Sequence, residues 1–366
     1  MSPALRLPAS TTELQWFYTR EELAQSPSIR AGMTVEQELH NRTRAIKRLY
    51  ILRNYQSVHQ PVISTAATFI HRFYMRETIQ DYDPVITAVA AFFLACKSEE
   101  EPRPIKPLVQ YLLEASRNRH IRVERINKPE TDLPEFKRLR AKVLAYEETI
   151  LRSLCYDLTV RNPHWYIVNT AQRVWTGEVA ETGQRVARAA WGFLNDSLSL
   201  PLCLLFQPQH IAAAALVLAC AHLDLPLPPD PGSLAEQQAL HELAIQEAEE
   251  GEEPPPFEPK SRWMELLEVR PEDLRDPIMA MLGGYKLAMD PFVADEGKQV
   301  RFPAWAATPP ESLQRNQLTC HITQQLAAKA IALLSELAPS STTPAPVQAS
   351  PASTTPQDAM AVDPPA

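Results

Sequence analysis

The sequence predicts an all-α protein, and three observations support that prediction. Hydrophobic residues recur at helical spacing in one segment after another, while the alternation typical of half-buried strands is almost absent. The chain has 34 Pro but only 9 Gly, and the prolines fall mainly between the hydrophobic segments, as they do at helix boundaries. Two segments, 85–96 and 211–221, are apolar on almost every side, so other helices must surround them.

The boundaries of the predicted helices follow from these prolines and from capping residues. Thr12 is a suitable cap for an N-terminal helix, Thr12–Ala24, which ends before Ser26 and Pro27. Two series of five helices follow. The first covers Val35–Tyr55, Pro61–Glu77, Pro84–Glu99, Ile105–Arg117 and Pro134–Cys155, and the second covers Pro163–Trp175, Glu181–Leu198, Pro208–His222, Ser261–Leu267 and Pro271–Met289.

The two series are related by an internal repeat. A shift of 124 residues, without a gap, aligns Pro84 with Pro208 and Cys96 with Cys220, together with several Ala and Leu residues between them. Alanine matches arise easily by chance, so the aligned Pro and Cys are the more informative identities. The chain is therefore expected to contain two five-helix units of the same design.

The expected domain organisation follows from the repeat and from shifts in composition. Ser, Thr, Pro and Ala dominate the tail, which cannot bury enough surface to order itself. We expect an N-terminal helix and turn (1–34), a first unit (35–160), a second unit (161–290) with an acidic Pro/Glu-rich insertion (226–259), and a C-terminal extension (291–366) that is disordered from about residue 339.

Charge and cysteine content exclude several classes of protein. The net charge is −8, but residues 228–259 hold nine acidic residues and no Lys or Arg, which leaves +1 on the rest. A nearly neutral body argues against a DNA-coating protein.

The five cysteines form no CxxC pair and suggest reduced thiols of the cytosol or nucleus. The first residues have no apolar segment, so we expect no secretory signal, and the longest apolar run is too short to span a bilayer.

Catalytic signatures are missing from the sequence. It contains no HExxH, no Walker loop and no GxGxxG, and its nine histidines lack metal-ligand spacing. The basic stretch 117–142 is interpreted as a solvated loop between helices, because its charge density is below that of nucleic-acid readers. We expect no catalytic residue, cofactor or metal.

Glu147 interrupts a hydrophobic helix face. With Phe136 placed at 0° and about 100° per residue, the core-facing side chains of this helix fall between about 280° and about 60°, and Glu147 falls at about 20°. A carboxylate on an apolar stripe must be paired or shift its pKa. Arg140, two turns earlier, is one candidate for an internal partner.

Lys97 is the second exception to the pattern. It follows the enclosed helix of the first unit directly, and the repeat places Ala221 at the equivalent position, so the fold itself does not require a lysine there. Lys97 could complement the helix dipole. The residues alone leave open whether Lys97 and Glu147 form a structural pair or belong to an interface.

Several segments resemble the transcriptional cyclins. The run FIHRFYMRETIQDYDPVITAVAAFFLACKSEEEPRPI, Phe69–Ile105, is similar to their first cyclin box, in which an RFYM-type helix end precedes a buried helix ending LAxKxEExP. The segment WFYTREELAQSPSIRAG, Trp16–Gly32, resembles the N-terminal helix and turn of cyclins K and T. The second series contains AWGFLNDSLSLPLCLLF, which is similar to cyclin K or cyclin C. The resemblance covers about residues 12–289.

The resemblance implies two tandem cyclin boxes and a regulatory subunit without catalytic activity. Its expected partner, in a heterodimer, is a cyclin-dependent Ser/Thr kinase that acts on the RNA polymerase II C-terminal domain in the nucleus. The residues expected to bind the kinase are Lys97, Glu147, Glu100 and Phe73. Contact with the polymerase C-terminal domain or Mediator is expected only through the complex, without membrane or direct DNA binding.

The chain departs from cell-cycle cyclins at His71, where those proteins have an Asp that pairs with an Arg of the first helix. This difference argues against a cell-cycle role. A plain helical scaffold without a kinase remains possible from the residues, and two more specific alternatives also remain open at this point. A Mediator-associated cyclin C-like subunit is favoured by Asp83-Pro84 and LCLLF, and a TFIIB-like promoter-binding factor would require a zinc ribbon and a basic face, which the sequence lacks.

Overall fold

The computed structural model describes residues 14–117, 129–228, 263–288 and 315–337, and residue 239. Within these ranges the regular secondary structure is entirely helical, which confirms the predicted fold class. The predicted disordered tail from about residue 339 and nearly all of the acidic insertion 226–259 lie outside the described residues, as does Thr12.

The first unit and its N-terminal segment contain seven helices in the described residues. Their bounds are α1 Arg20–Leu23, α2 Pro27–Arg30, α3 Val35–Gln56, α4 Gln60–Phe73, α5 Pro84–Ser98, α6 Ile105–Ser116 and α7 Pro134–Ser153.

The second unit contains five further helices and is followed by one more. Their bounds are α8 Pro163–Val174, α9 Ala180–Ser197, α10 Pro208–Leu223, α11 Trp263–Leu267, α12 Arg275–Ala288 and α13 Arg315–Leu337. Short 3₁₀ turns, Gly177–Val179, Pro201–Leu204 and Pro271–Asp273, precede α9, α10 and α12.

Helix α5 is the centre of the first unit. The Asp83 carboxylate caps it by accepting from the backbone N–H groups of Val85 and Ile86, and Pro84 occupies its first turn. Helices α3, α4, α6 and α7 pack around it. Its small side chains, Ala88, Ala90, Ala91 and Ala95, are fully buried and allow the neighbouring helices to approach closely.

Helix α10 has the same position in the second unit. Every side chain from Ile211 to Ala221 is at most 4% exposed, and α8, α9, α11 and α12 contact the helix. The 124-residue shift also relates the two helix ends, because Glu100 after α5 and Asp224 after α10 both adopt left-handed backbone conformations, with φ of 56° and 52°. The backbone thus confirms two tandem units of one design.

Two elements differ from the sequence prediction. The predicted N-terminal helix Thr12–Ala24 is not continuous: residues 15–19 are not helical, and a short helix begins at Arg20, because the Thr19 and Glu22 side chains form a capping box with each other's backbone N–H groups. Helix α13 was not predicted at all, and it packs on α10 and α12 of the second unit.

A buried ion pair lies inside helix α3. Glu38 and Arg42, one turn apart, form an ion pair with side chains only 4% and 2% exposed. The Ser26 hydroxyl donates to the same Glu38 carboxylate and ties the N-terminal segment to α3. Arg42 also donates to the His71 carbonyl at 2.9 Å. Arg42 thus obtains its carboxylate partner from its own helix, while His71 faces the same guanidinium.

His71 joins the two units. Its Nε2 lies 3.0 Å from the Leu198 carbonyl oxygen and therefore carries the proton, while Nδ1 lies 3.5 Å from the Arg42 guanidinium and accepts. Beside it, the Asn195 side-chain oxygen accepts from Gln60 at 2.7 Å. Hydrogen bonds from α4 to the residues around the end of α9 therefore hold the units together.

The neutral His71 predicts a pH dependence of stability. Burial, with the nearby Arg42 charge, lowers the pKa of His71 to about 3 in the folded protein. In the unfolded chain the pKa of a histidine is about 6.5. Between these values the unfolded chain binds the extra proton, so the free energy of unfolding falls as the pH falls, by up to about 1.4 kcal/mol per pH unit. Urea denaturation from pH 4 to 8 should show a shallower slope for His71→Gln than for the parent. Equal slopes would contradict this assignment.

Candidate functional site

Lys97 and Glu147 form an ion pair across helices α5 and α7. Lys97 lies in the last turn of α5, and Glu147 lies in the middle of α7, which packs along α5. The partner of Glu147 is therefore Lys97, and Arg140 is instead an exposed residue at the start of α7. The structure thus brings together the two residues that the sequence singled out separately.

The two charges have unequal access to solvent. The Glu147 side chain is 11% exposed, and the Lys97 side chain is 47% exposed. Apart from the Lys97 ammonium, no hydrogen-bond donor in the described part of the chain reaches the Glu147 Oε1. The Lys97 ammonium also lies 4.6 Å from the centre of the Phe93 ring, a cation–π distance. Lys97 therefore keeps free donor capacity beside a buried carboxylate.

Glu100 lies at the same end of α5. Its left-handed φ of 56° ends the helix, and its side chain is exposed. The neighbouring acids are engaged elsewhere, since Glu99 accepts from the Thr65 hydroxyl at 2.6 Å and Glu101 pairs with His59 at 2.7 Å. Glu100 is thus the acidic residue of this turn that is most available to a partner.

Phe73 is placed differently from the sequence expectation. Its side chain is fully buried, and its ring lies 5.3 Å from the Tyr74 ring and 5.2 Å from the Tyr82 ring, in edge-on arrangements. A side chain with no exposed surface packs the core of the first unit and does not meet a partner directly. Phe73 therefore supports the surface from within, because Tyr82 in turn contacts Tyr146, next to Glu147.

Apolar surface on the two helices that carry the ion pair was not singled out from the sequence. Leu144 of α7 is 37% exposed, and Ile86 and Phe93 of α5 are partly exposed. The signal for Leu144 was available, because it falls at about 80° on the helix projection, just outside the core-facing arc. We use the term docking face for Ile86, Phe93, Lys97, Glu100, Leu144 and Glu147.

The described residues contain no obvious centre of chemistry. No group of three or more His, Cys, Asp or Glu side chains in these ranges is arranged to hold a metal. Burial raises the pKa of the Cys96 and Cys220 thiols to about 12. None of the described helices has both the length and the hydrophobicity that crossing a bilayer requires.

Comparison with known proteins identifies similar sequences. Residues 13–159 match the family described as Cyclin, N-terminal domain. The chain is 31% identical over 216 residues to the putative cyclin-T1-1 of Arabidopsis thaliana, covering 59% of this chain and 82% of that protein. It is 33% identical to Cyclin-T1-3 of Oryza sativa subsp. japonica over 217 residues, and 30% identical to Cyclin pch1 of Schizosaccharomyces pombe over 213. The matched regions span 42% and 59% of these last two proteins.

Solved structures show the same fold. A chain of the yeast RNA Pol II CTD kinase CTDK-1 complex matches with a TM-score of 0.54 at 14% sequence identity, covering 84% of this chain and 82% of that one. A chain of the CAK complex from Chaetomium thermophilum matches with a TM-score of 0.50 at 16% identity, covering 88% and 87%. At these identities the likeness concerns the fold.

Proposed function

Because the chain belongs to the transcriptional cyclin family, we propose that it is a non-catalytic subunit that binds and activates a cyclin-dependent Ser/Thr kinase. The proposed substrate of that kinase is the C-terminal domain of RNA polymerase II, and the proposed place of action is the nucleus. The observation that carries the proposal is the Lys97–Glu147 pair, a half-exposed ammonium next to a nearly buried carboxylate. Apolar side chains lie on the same pair of helices.

This arrangement suits the recognition of a helix end or a turn. A partner backbone that presents carbonyl groups to Lys97 and N–H groups to Glu147 would complete the hydrogen bonding of both charges. The pair exists before binding, so few side-chain rotamers must be ordered when the partner arrives. Leu144 and Phe93 add apolar area that such a partner would cover.

The proposed mechanism is conformational. Binding on the docking face would hold the regulatory αC helix of the kinase inward, so that the kinase's own Lys–Glu pair forms and its activation loop is ordered. The energy for this change is the difference in affinity between the two kinase conformations. The cyclin contributes no reacting group.

The relatives support the cyclin T-like form of the proposal. Several similar proteins carry cyclin T names, and one solved structure of the same fold belongs to a complex described as an RNA Pol II CTD kinase. We propose boundaries of 35–160 for the first cyclin box and 161–290 for the second. In that arrangement the acidic insertion belongs to the second box and lies in the sequence between α10 and α11.

A direct test measures kinase stimulation. Addition of this chain to candidate transcriptional kinases should raise phosphate transfer to a peptide of polymerase heptad repeats at least tenfold for one of them, while the chain alone transfers none. The control is the same chain carrying Lys97→Ala and Glu147→Ala together. No stimulation of any transcriptional kinase, or equal stimulation by the double variant, would contradict the proposal.

A further inference from the structure

Helix α13 packs on the second unit, and the described residues of the first unit include no counterpart of it. Among its described side chains, Leu326, Ala330 and Leu334 are buried and recur every four residues, so they form one face of the helix. That face packs on α10 and α12. The helices that α13 covers are the repeat counterparts of α5 and α7, which carry the docking face.

Two buried residues of α10 correspond in the repeat to residues of the docking face. The 124-residue shift relates Phe93 to Val217 and Lys97 to Ala221. In the first unit Phe93 is partly exposed and Lys97 is exposed, whereas in the second unit Val217 is 0% and Ala221 is 2% exposed. The other neighbours of α10 are the repeat counterparts of the neighbours of α5, and α13 is the additional one. Among the described helices, α13 is thus the neighbour of α10 that has no equivalent around α5.

A charge pair marks the same correspondence. Asp224 occupies the left-handed position after α10 that Glu100 occupies after α5. The Lys329 ammonium of α13 forms an ion pair with the Asp224 carboxylate. The second unit thus binds a helix, α13, whose apolar side chains pack on α10. The Lys329 side chain of α13 pairs with Asp224 at the C-terminal end of α10.

We infer that α13 is a tethered ligand of the second unit and occupies the counterpart of the docking face, so that an external partner is confined to the first unit. The assignment of the docking face as a kinase-binding surface rests on the proposed function. The packing of α13 on α10 and α12 does not depend on it. The surface formed by α10 and α12 accepts an amphipathic helix with apolar residues four apart, Leu326, Ala330 and Leu334, and a basic residue, Lys329, directly before the middle one. Residues 315–337 of this chain are that helix.

The test cuts the chain between α13 and the rest of the protein, here called the body, and keeps both pieces in the same solution. A protease recognition sequence is inserted between residues 288 and 315 of the full chain, and the cleaved protein is followed by gel filtration through a dilution series. The released 315–366 piece should stay bound to the body, and a synthetic peptide of residues 315–337 should displace it. Leu326→Ala should weaken retention at least tenfold, and Gln324→Ala, at an exposed position of the same helix, should leave it within twofold.

Charge exchange tests the Asp224 contact. Lys329→Asp should weaken retention several-fold, and Asp224→Lys added to it should restore most of the loss. Immediate dissociation of the piece from the parent protein, or equal retention by the Leu326 and Gln324 variants, would overturn the inference. Kinase binding is measured on the same samples. A kinase that binds while α13 dissociates freely refutes this inference alone, and firm retention of α13 without kinase binding refutes only the proposed function.

Discussion

Glu147→Ala is expected to weaken binding of the partner kinase by about 2–5 kcal/mol, because its loss leaves a charge without its partner in a buried interface. In the free protein, Lys97 is half exposed and can be hydrated when Glu147 is absent. Under a bound partner that hydration is lost. The cost should therefore appear in the affinity for the kinase and not in the melting temperature of the free chain. Lys97→Ala should have a comparable effect.

The matched control for this experiment is Glu148→Ala. Glu148 is adjacent in sequence but points away from the core, and its side chain is 65% exposed and paired with Arg152. Exposed pairs of this type contribute about 0–1 kcal/mol. Affinity is measured by titration calorimetry and stability by thermal melting. If Glu147→Ala lowers the melting temperature enough to explain the lost affinity, the pair serves the internal fold only.

Glu38→Ala is expected to reduce the free energy of unfolding by about 3–5 kcal/mol, since it leaves the Arg42 guanidinium buried without a carboxylate. Glu36→Ala, on the exposed side of the same helix, should change it by less than about 0.5 kcal/mol. Urea denaturation at neutral pH measures both.

Replacing both members of the buried pair gives the second half of this experiment. Glu38→Leu with Arg42→Met removes both charges and keeps apolar volume, so it should recover much of the stability that Glu38→Ala loses. A double variant as unstable as Glu38→Ala would show that hydrogen bonds to the Ser26 hydroxyl and the His71 carbonyl, and not charge balance, determine the cost.

Most of the fold could be predicted because the helix boundaries are local. Pro84 and Pro208 start the two enclosed helices, and the predicted bounds of both agree with the structure to within a residue. The N-terminal segment was predicted as one helix, whereas a separate short helix begins at Arg20, where Thr19 and Glu22 form a capping box. Helix α13 was missed because its buried face includes alanines, which give little hydrophobic periodicity.

The candidate site could be predicted residue by residue but not as a geometry. Glu147 was visible because it interrupts a hydrophobic arc, and Lys97 because the repeat has Ala221 in its place. That the two meet depends on how α5 packs against α7, which neither helix encodes alone. Arg140 was an equal candidate partner until that packing was known. Phe73 was expected to bind the kinase, but its burial depends on Tyr74 and Tyr82, which close over it.

The position of the Glu38–Arg42 pair within a single helix has a consequence for the order of assembly. A pair one turn apart is brought together by α3 alone, without a contact from elsewhere in the chain. The buried guanidinium is therefore neutralised locally, and the neutral His71 ring on α4 brings no second charge. No carboxylate from a distant part of the chain has to be in place before Arg42 can be buried.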